Sequence, residues 1–399
     1  MTPGDRMTRT ELRGSLALAL IFFLRMLGLF LILPVFVLYA QGLPGATPAL
    51  IGIALGSYGL TQAVFQIPFG LLSDRIGRKP VIAAGLLIFA LGSVIAGAAD
   101  SLPIIILGRA LQGAGAIAAA IMALAADLTR APQRTKAMAL IGISVGFAFA
   151  LAFVIGPVLD PYIGVPGLFF LGAALALLAI AVLFGVVPAA APAAMPNGGW
   201  SGGRNLAGVL RNRDLLRLNL SIFILHMLLV SSFIVIPLVL RDGVGLKTAD
   251  HWLMYLPVLV LSALIMLPFL IYGEKLKRVK QIISGAIVLI MLSQFGLHFL
   301  PISLRQVAVL LVIFFTAFNY LEATLPSLVS KLADGTHKGA ALGIFSTSQF
   351  IGTFAGGYAG GQIFQHFGQS AVFLFGGALA VLWFIIIRFM PEQAVPPCP

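Results

Sequence analysis

The chain has 399 residues, of which 60% are hydrophobic and 10% are charged, and its formal net charge is +12. Together with a mean hydropathy of +1.06, this composition leaves too few polar side chains to cover a water-soluble globule. The positive charges lie in separate short segments rather than in one patch, which argues against a nucleic-acid surface. The single cysteine, Cys398, excludes an intrachain disulfide and a cysteine-based metal cluster.

Long apolar runs recur along the whole chain. A bilayer core of about 30 Å requires roughly 20 apolar residues per helix, and continuous rather than alternating runs favour helices over a membrane barrel. The first run is too long for the core of a signal peptide and is kept as a membrane helix. We predict twelve membrane-spanning helices, called spans 1 to 12: 15–40, 49–72, 80–98, 103–125, 137–159, 165–187, 217–240, 252–272, 280–300, 305–330, 339–363 and 369–389.

The placement of the charges predicts the orientation of the spans. With the N-terminus in the cytoplasm, most lysines and arginines fall in cytoplasmic segments, as the positive-inside rule expects. Arg241, Lys247 and Arg305 then lie outside, while Arg25 and Arg109 lie within spans. The sequence therefore predicts that both termini are cytoplasmic.

Arg25 is the first charge within a span. It lies about nine residues into span 1, roughly 14 Å deep at about 1.5 Å per residue. A charge at the membrane centre costs at least roughly 2.5 kcal/mol, so Arg25 is expected to face a partner or a cavity. Two readings remain open. Arg25 binds an anionic substrate group or sets the state of a nearby acid, or it is a satisfied charge that packs span 1 against span 5 or 11.

Spans 2 and 3 are joined by a charged turn, GLLSDRIGRKP (70–80). Gly77 suits a left-handed helix end, and Pro80 suits the first turn of a new helix. Asp74 and Arg78 are predicted to form an ion pair that clasps one conformation of the protein. The alternative is that they are ordinary loop charges that follow the positive-inside rule.

Span 4 contains Arg109 and Gln112, and Asp127 lies at its cytoplasmic end. Arg109 lies nearer the outer end of the span. A side chain that snorkels to the outer headgroups is therefore the structural alternative to a functional arginine. Gln112 is expected to offer a polar contact inside a cavity.

The charged turn is repeated in the second half of the chain. QIPFGLLSDRIGRKP (66–80) recurs 200 positions later as MLPFLIYGEKLKRVK (266–280). Leu270 and Lys277 replace the glycines of the first copy, so the second copy is predicted to be a basic inner-surface loop and only the first copy a clasp.

A second repeat supports a duplicated membrane domain, because FFLGAALALL (169–178) matches FLFGGALAVL (373–382) at nearly the same offset. A segment rich in Pro, Ala and Gly, followed by arginines, separates the halves. Parallel repeats of this kind place a substrate cavity at their interface. The predicted domains are an N-terminal six-helix bundle at 1–187, a cytoplasmic linker at 188–216, and a C-terminal six-helix bundle with a short tail at 217–399.

The second half carries His226 in span 7 and both Asn319 and Glu322 in span 10. Pro326 cannot donate a hydrogen bond to the Glu322 carbonyl, so the helix is loosened at that carboxylate. Burial of a carboxylate favours its protonated form, which a proton carrier needs. The alternative is a structural carboxylate neutralised by an arginine or a backbone group. For His226, proton sensing competes with a neutral, hydrogen-bonded role, and Asn319 is expected to offer a polar contact.

Span 11 contains small-residue stripes at four-residue spacing, which allow close approach of two helices. We predict packing against span 2 within one chain, and hence a monomer, rather than a dimer interface. The glycines are Gly352, Gly356, Gly357, Gly360 and Gly361.

The charged turn resembles the major facilitator superfamily, whose loop after the second helix carries Gly, Asp, Arg, Gly, Arg and Lys. The matching residues are Gly70, Asp74, Arg75, Gly77, Arg78 and Lys79. In span 4, LGRALQGAGA (107–116) resembles a second family motif. In span 5, Gly142, Gly146, Gly156 and Pro157 match most of an antiporter-type pattern, although Val158 stands where a glycine is common.

The resemblance implies an all-α polytopic membrane protein with the major facilitator fold, twelve transmembrane helices in two pseudo-symmetric six-helix bundles. It also implies a bacterial inner-membrane transporter of the proton-driven drug-efflux type. In such proteins the turn locks the outward-facing state with an acid at the end of the fourth helix. The implied clasp comprises Gly70, Asp74, Arg75, Gly77, Arg78 and Asp127. By the same resemblance Arg109 assists proton transfer.

We therefore predict a secondary transporter that exports a hydrophobic or amphipathic small molecule by proton antiport, since the spans expected to line the cavity are mainly apolar. Proton coupling is assigned to Glu322, Arg109 and His226, and the substrate cavity to Arg25, Gln112, Asn319 and Glu322. The expected partners are a small-molecule substrate, protons and the lipid bilayer, with no cofactor, metal or nucleic acid.

Two alternatives are kept. In a proton-linked importer of a small anionic metabolite, Arg25 and Arg109 would be substrate ligands. A membrane-embedded lipid enzyme would need a nucleophile with a base, a metal cluster or paired carboxylates. The five scattered histidines give no such pattern.

Overall fold

The computed structural model describes residues 7–188, 211–275, 278–333 and 338–389. Most of the predicted linker, Lys277 and Cys398 lie outside the described residues. The side chains of Glu274 and Lys275, in the second copy of the charged turn, lie outside the described set as well.

The described residues form α-helices joined by short turns, with no β-strand among them. The helices of the first half are α1 (Arg9–Phe30), α2 (Phe36–Ala40), α3 (Pro48–Ile76), α4 (Arg78–Gly97), α5 (Leu102–Ala114), α6 (Ala118–Asp127) and α7 (Arg134–Gly185). Those of the second half are α8 (Arg213–Leu238), α9 (His251–Lys275), α10 (Val279–Phe299), α11 (Leu304–Leu332), α12 (Lys338–Phe367) and α13 (Gln369–Arg388). The predicted all-α class is confirmed.

Within the described ranges, 10 helical segments are long and apolar enough to cross a membrane. One of them, Ala131–Gly185, contains both predicted spans 5 and 6. Its two parts meet at Gly164, where φ is 64° and the backbone leaves helical geometry. α12, which corresponds to span 11, is a helix of 30 residues outside those ten.

Spans 1 and 4 were each predicted as one membrane-spanning helix, and each is divided into two helices. Span 1 divides into α1 and α2 around a turn that contains Pro34, which has no backbone N–H to continue the helical ladder. Span 4 divides into α5 and α6 because Gly115 adopts φ −72° and ψ 54°, outside the helical range. Each break leaves backbone groups free to bond elsewhere.

Contacts divide the chain into two compact units. Unit 1 comprises Met1–Gly45 and Leu60–Asn197, and unit 2 comprises Ala46–Gly59 and Gly198–Pro399. The first part of α3 therefore belongs to unit 2, although the sequence placed it in the N-terminal bundle.

The helix pairings of unit 1 recur in unit 2. In unit 1, α1 packs along α7, and α4 packs against α5 and α7. In unit 2, α8 packs along α12 and α13, and α10 packs against α11 and α13. These equivalent pairings support the internal repeat inferred from the sequence.

A pair of buried serines follows the same repeat. Ser93 in α4 and Ser293 in α10 are 200 positions apart, and both are fully buried. The Ser93 hydroxyl accepts a hydrogen bond from Gln112 of α5, and the Ser293 hydroxyl donates one to the Leu310 carbonyl of α11. Each serine thus joins the corresponding helix pair of its own unit.

The glycine stripes of α12 pack inside unit 2. A Cβ at Gly352 or Gly356 would collide with the backbone of Phe223 or Met227 in α8. On the other stripe, a Cβ at Gly357 would meet the Gly52 carbonyl in the first part of α3. The stripes therefore allow close helix packing within the chain, and the contact with α8 adds to the predicted contact with span 2.

Candidate functional site

The predicted clasp residues Asp74, Arg78 and Asp127 lie together at the end of unit 1 where α3 stops, α4 begins and α6 stops. Arg78 Nη1 forms an ion pair with Asp74. Arg78 Nε lies 3.1 Å from Asp127 Oδ2, and Nη1 also donates to the Ser73 hydroxyl at 2.8 Å. One guanidinium therefore joins three helix ends, a bridging role that suits its planar set of donors.

The two glycines of the turn have separate structural roles. Gly77 has φ 98°, a left-handed conformation that other residues rarely adopt, and it directly precedes α4. At Gly70 a Cβ would approach the Ala119 Cβ of α6 to 3.2 Å. Gly77 therefore permits the turn and Gly70 permits the close approach of α3 and α6, whereas Arg75 is exposed.

A second ion pair fixes the same end of unit 1 and was missed by sequence reasoning. The buried Glu11 carboxylate accepts from Arg130 Nε at 2.8 Å and from Arg130 Nη2 at 3.0 Å. Glu11 also closes a capping box with Thr8 at the start of α1. The carboxylate holds the pKa of Arg130 above its usual range. The Thr8-x-x-Glu11 pattern was the available signal for the capping box.

Arg25 is fully buried in unit 1. Its Nη2 donates to Gln62 Oε1 of α3 and to the Gly115 carbonyl, both at 2.9 Å, and its guanidinium lies 5.5 Å from the Phe89 ring centre. The Gly115 carbonyl is available because span 4 breaks there. Arg25 is thus a buried charge that bonds to α3 and to the α5–α6 break and lies against α4, contacts that the sequence did not predict.

Arg109 and Gln112 lie together, as the sequence placed them. Arg109 is 3% exposed and donates to Gln112 Oε1 at 2.8 Å, while Gln112 Nε2 donates to Ser93 at 2.7 Å. The alternative of a side chain that snorkels to the headgroups does not hold, because Arg109 is held inside unit 1 by α4 and α5. Gln112 is also buried, within the same helix contact.

Glu322 and His226 lie together in unit 2, joined by a residue that sequence reasoning missed. Gln349 of α12 donates from its amide nitrogen to His226 Nε2 at 2.8 Å and to Glu322 Oε1 at 3.1 Å. His226 Nε2 lies 3.8 Å from Glu322 Oε2. We call Glu322, His226 and Gln349 the acid–imidazole cluster.

The hydrogen bonds of the acid–imidazole cluster, in which the Gln349 amide nitrogen faces both partners, suit a neutral His226. His226 Nδ1 lies 3.2 Å from the Ile222 carbonyl, which can only accept, so Nδ1 carries the proton. Nε2 is then an acceptor, as its contact with the Gln349 amide requires. Glu322 Oε2 is buried without a hydrogen-bond donor among the described residues. The cluster is therefore arranged for a neutral imidazole and leaves one carboxylate oxygen able to accept another donor.

Asn319 lies outside this cluster and donates to the Ser262 hydroxyl of α9 at 3.2 Å. The predicted sites are therefore divided between the units, with Arg25, Arg109 and Gln112 in unit 1 and His226, Asn319 and Glu322 in unit 2. Among the described residues there is no group of three or more His, Cys, Asp or Glu side chains suited to a metal ion.

Comparison with known proteins agrees with this architecture. The family model described as Major Facilitator Superfamily matches residues 18–334. The chain is 47% identical to the inner membrane transport protein YajR of Escherichia coli, over 98% of this chain and 85% of YajR. It is 27% identical to the multidrug resistance protein MdtH of Aeromonas salmonicida, over 90% of this chain and 89% of MdtH.

Solved structures show the same fold. The crystal structure of the nucleoside transporter NupG matches with a TM-score of 0.72 at 17% identity, covering 94% of this chain and 99% of NupG. At that identity the likeness concerns the fold alone.

Proposed function

The chain belongs to the major facilitator superfamily, and on that premise we propose that this secondary transporter couples proton movement to the export of a hydrophobic or amphipathic small molecule. Membership makes it a membrane transporter rather than an enzyme. The coupling ion, the direction and the substrate class are the proposed part.

The observation that carries proton coupling is the acid–imidazole cluster. A proton that binds His226 Nε2 removes the acceptor used by the Gln349 amide and creates an imidazolium 3.8 Å from Glu322 Oε2. That oxygen accepts no other hydrogen bond among the described residues. Protonation therefore exchanges an amide contact for a charge contact between α8 and α11, and releases α12 from one of its two bonds.

Such an exchange is useful for coupling because the three side chains come from three helices of one unit. Proton binding then changes which helix contacts are favourable, and a ligand drives a conformational change only if it binds two conformations unequally. Pro326 adds to the effect, since it leaves the Glu322 carbonyl without a helical donor. We assign Glu322 as the proton carrier and His226 as the group that shares its proton.

An apolar substrate is supported by the surroundings of the cluster. Phe318 lies 5.8 Å from the His226 ring and 6.1 Å from Phe314, ring centre to ring centre. An apolar and aromatic environment with few polar groups is typical of sites for hydrophobic ligands. The distant relationship to MdtH, a protein named for multidrug resistance, agrees with this class.

The alternative of an anionic-metabolite importer required Arg25 and Arg109 as substrate ligands. Both are buried, and each bonds to a carbonyl or amide oxygen of its own unit. These contacts favour a packing role for the two arginines and so favour export of an apolar compound over import of an anion.

The Asp74–Arg78–Asp127 network is proposed as the clasp that stabilises one transport state. Its contacts in the structure lie inside unit 1, where they fix the ends of α3, α4 and α6. A rigid end is what a rocking six-helix unit needs if it is to move as one body. We further propose an inner-membrane monomer with both termini in the cytoplasm.

Inside-out membrane vesicles test this function. We expect neutral and cationic lipophilic dyes to accumulate in the vesicles when their interior is acidified, and a protonophore to abolish the accumulation. Uptake of an anionic metabolite by intact cells, without any gradient-dependent dye movement, would establish the importer instead.

A further inference from the structure

The first halves of α9 and α11 enclose an apolar groove in unit 2, with a volume of about 510 Å³. Leu253, Pro257 and Leu261 contribute one wall, and Leu304, Val309 and Ile313 contribute the other. Leu253, Leu261, Leu304 and Val309 are each exposed over roughly half of their surface. A groove with apolar walls in a membrane-spanning region suits a hydrocarbon chain.

Two cations stand at one end of the groove. Leu246 and Leu304 line it, and each is followed directly by an exposed cation, Lys247 or Arg305. Neither cation has an ion-pair partner among the described residues. Arg241, by contrast, is paired with Asp242 at 2.6 Å. The two unpaired cations are therefore available to an external anion.

The dimensions of the groove match part of a lipid. From Leu253 to Leu261 a helix advances about 12 Å at about 1.5 Å per residue, close to the roughly 15 Å depth of one leaflet of the hydrocarbon core. Lys247 and Arg305 lie at the helix-start end of the groove, and Trp252, a residue type enriched at membrane interfaces, directly precedes the lining residue Leu253 in the chain. The charged end therefore corresponds to the headgroup level.

We infer that this groove binds an anionic phospholipid, with one acyl chain between α9 and α11 and the headgroup phosphate between Lys247 and Arg305. A zwitterionic lipid offers the same acyl chain but no net charge, so the two cations give selectivity. A cation near an anionic headgroup contributes about 1 kcal/mol, equivalent to about fivefold in affinity for each cation. Lipid binding in this groove does not depend on proton coupling.

Quenching of Trp252 fluorescence by brominated lipids tests the site. The full chain is reconstituted in phosphatidylcholine vesicles that contain a minor fraction of either dibrominated phosphatidylglycerol or dibrominated phosphatidylcholine. The signal of Trp252 is obtained by subtracting the spectrum of the Trp252→Phe variant. We expect stronger quenching by the anionic lipid, and a loss of about fivefold in that preference in Lys247→Gln and in Arg305→Gln.

Two further variants distinguish lipid binding in the groove from nonspecific attraction of anionic lipid to surface charge. Arg241→Gln removes one nearby positive charge that is already paired, and it is expected to keep the preference. Ala308→Phe fills the groove and is expected to reduce quenching by both lipids, with an unchanged circular dichroism spectrum. Equal quenching by the two lipids in the unaltered chain, or an equal loss in Arg241→Gln and Arg305→Gln, would overturn the inference.

Discussion

At the residue scale, the polar groups of the two units have different roles. Arg25, Arg109 and Gln112 are buried and bonded, so they hold the helices of unit 1 together. Glu322 and His226 lie in a cluster where one carboxylate oxygen still lacks a donor. A carboxylate with a free acceptor oxygen can take up a proton, whereas an arginine guanidinium stays charged.

Replacement of Gln349 by leucine removes the amide that bonds both Glu322 and His226. A hydrogen bond to a charged group contributes roughly 1.5–3 kcal/mol, so we expect the pH profile of transport to change in Gln349→Leu. The measurement is gradient-driven uptake at a series of pH values. Thr347→Val, which removes only a local hydroxyl bond on the same helix, should leave the profile in place, and an unshifted Gln349→Leu profile would remove Gln349 from the mechanism.

Arg25→Lys distinguishes a packing arginine from a substrate ligand. Lysine keeps the charge but loses the planar guanidinium that lies against the Phe89 ring while its Nη2 bonds both Gln62 and the Gly115 carbonyl. We expect a destabilisation of about 2 kcal/mol or more, seen as a lower unfolding temperature in detergent, with no selective rise in KM. Arg13→Lys on the exposed side of α1 is the control. A raised KM with an unchanged unfolding temperature would identify Arg25 as a ligand.

Arg78→Lys tests the clasp. The lysine cannot bond Asp74, Asp127 and Ser73 together, so we expect the transport rate to fall by about tenfold, equivalent to about 1.4 kcal/mol, in folded protein. Arg134→Lys, an exposed arginine at the start of α7, is the matched substitution. If both variants transport at the rate of the unaltered chain, Asp74, Arg78 and Asp127 are ordinary loop charges and do not form a clasp.

At the element scale, the sequence identifies most helices because continuous apolar runs are a direct signal of membrane spans. The break at Gly115 was not predicted, since an apolar run without a proline gives no indication of where a helix is interrupted. Gln349 was missed for a related reason. Gln349 was given no role from the sequence because its partners lie on α8 and α11, more than two dozen residues away in the chain.

Gly108→Ala tests the packing of α5 on α4. The added Cβ would lie 2.7 Å from the Ala96 nitrogen and the Gly92 carbonyl oxygen, and overpacking of this kind costs roughly 1–3 kcal/mol. We expect a lower unfolding temperature in a thermal scan. Gly285→Ala in α10, where a Cβ meets no neighbour within 4 Å, should be neutral or stabilising. Similar unfolding temperatures for the two variants would contradict the packing described for α4 and α5.

At the scale of the whole molecule, the repeated pairings of helices show that the two units are related. The two units differ in their polar residues. Unit 1 contains the charge network at the ends of α3, α4 and α6, and unit 2 contains the acid–imidazole cluster. The duplication was visible in the sequence because the charged turn recurs. The assignment of 46–59 to unit 2 was not visible in the sequence, since it depends on contacts between glycines that are distant in the chain.

The most direct measurement is gradient-driven transport by Glu322→Gln in proteoliposomes, compared with substrate exchange in the same vesicles without a gradient. We expect the variant to lose accumulation driven by the proton gradient, because glutamine cannot carry a proton, and to keep exchange. Asp160→Asn, the same change at another acid within a helix, should keep both activities. Full gradient-driven accumulation by Glu322→Gln would contradict proton coupling through Glu322.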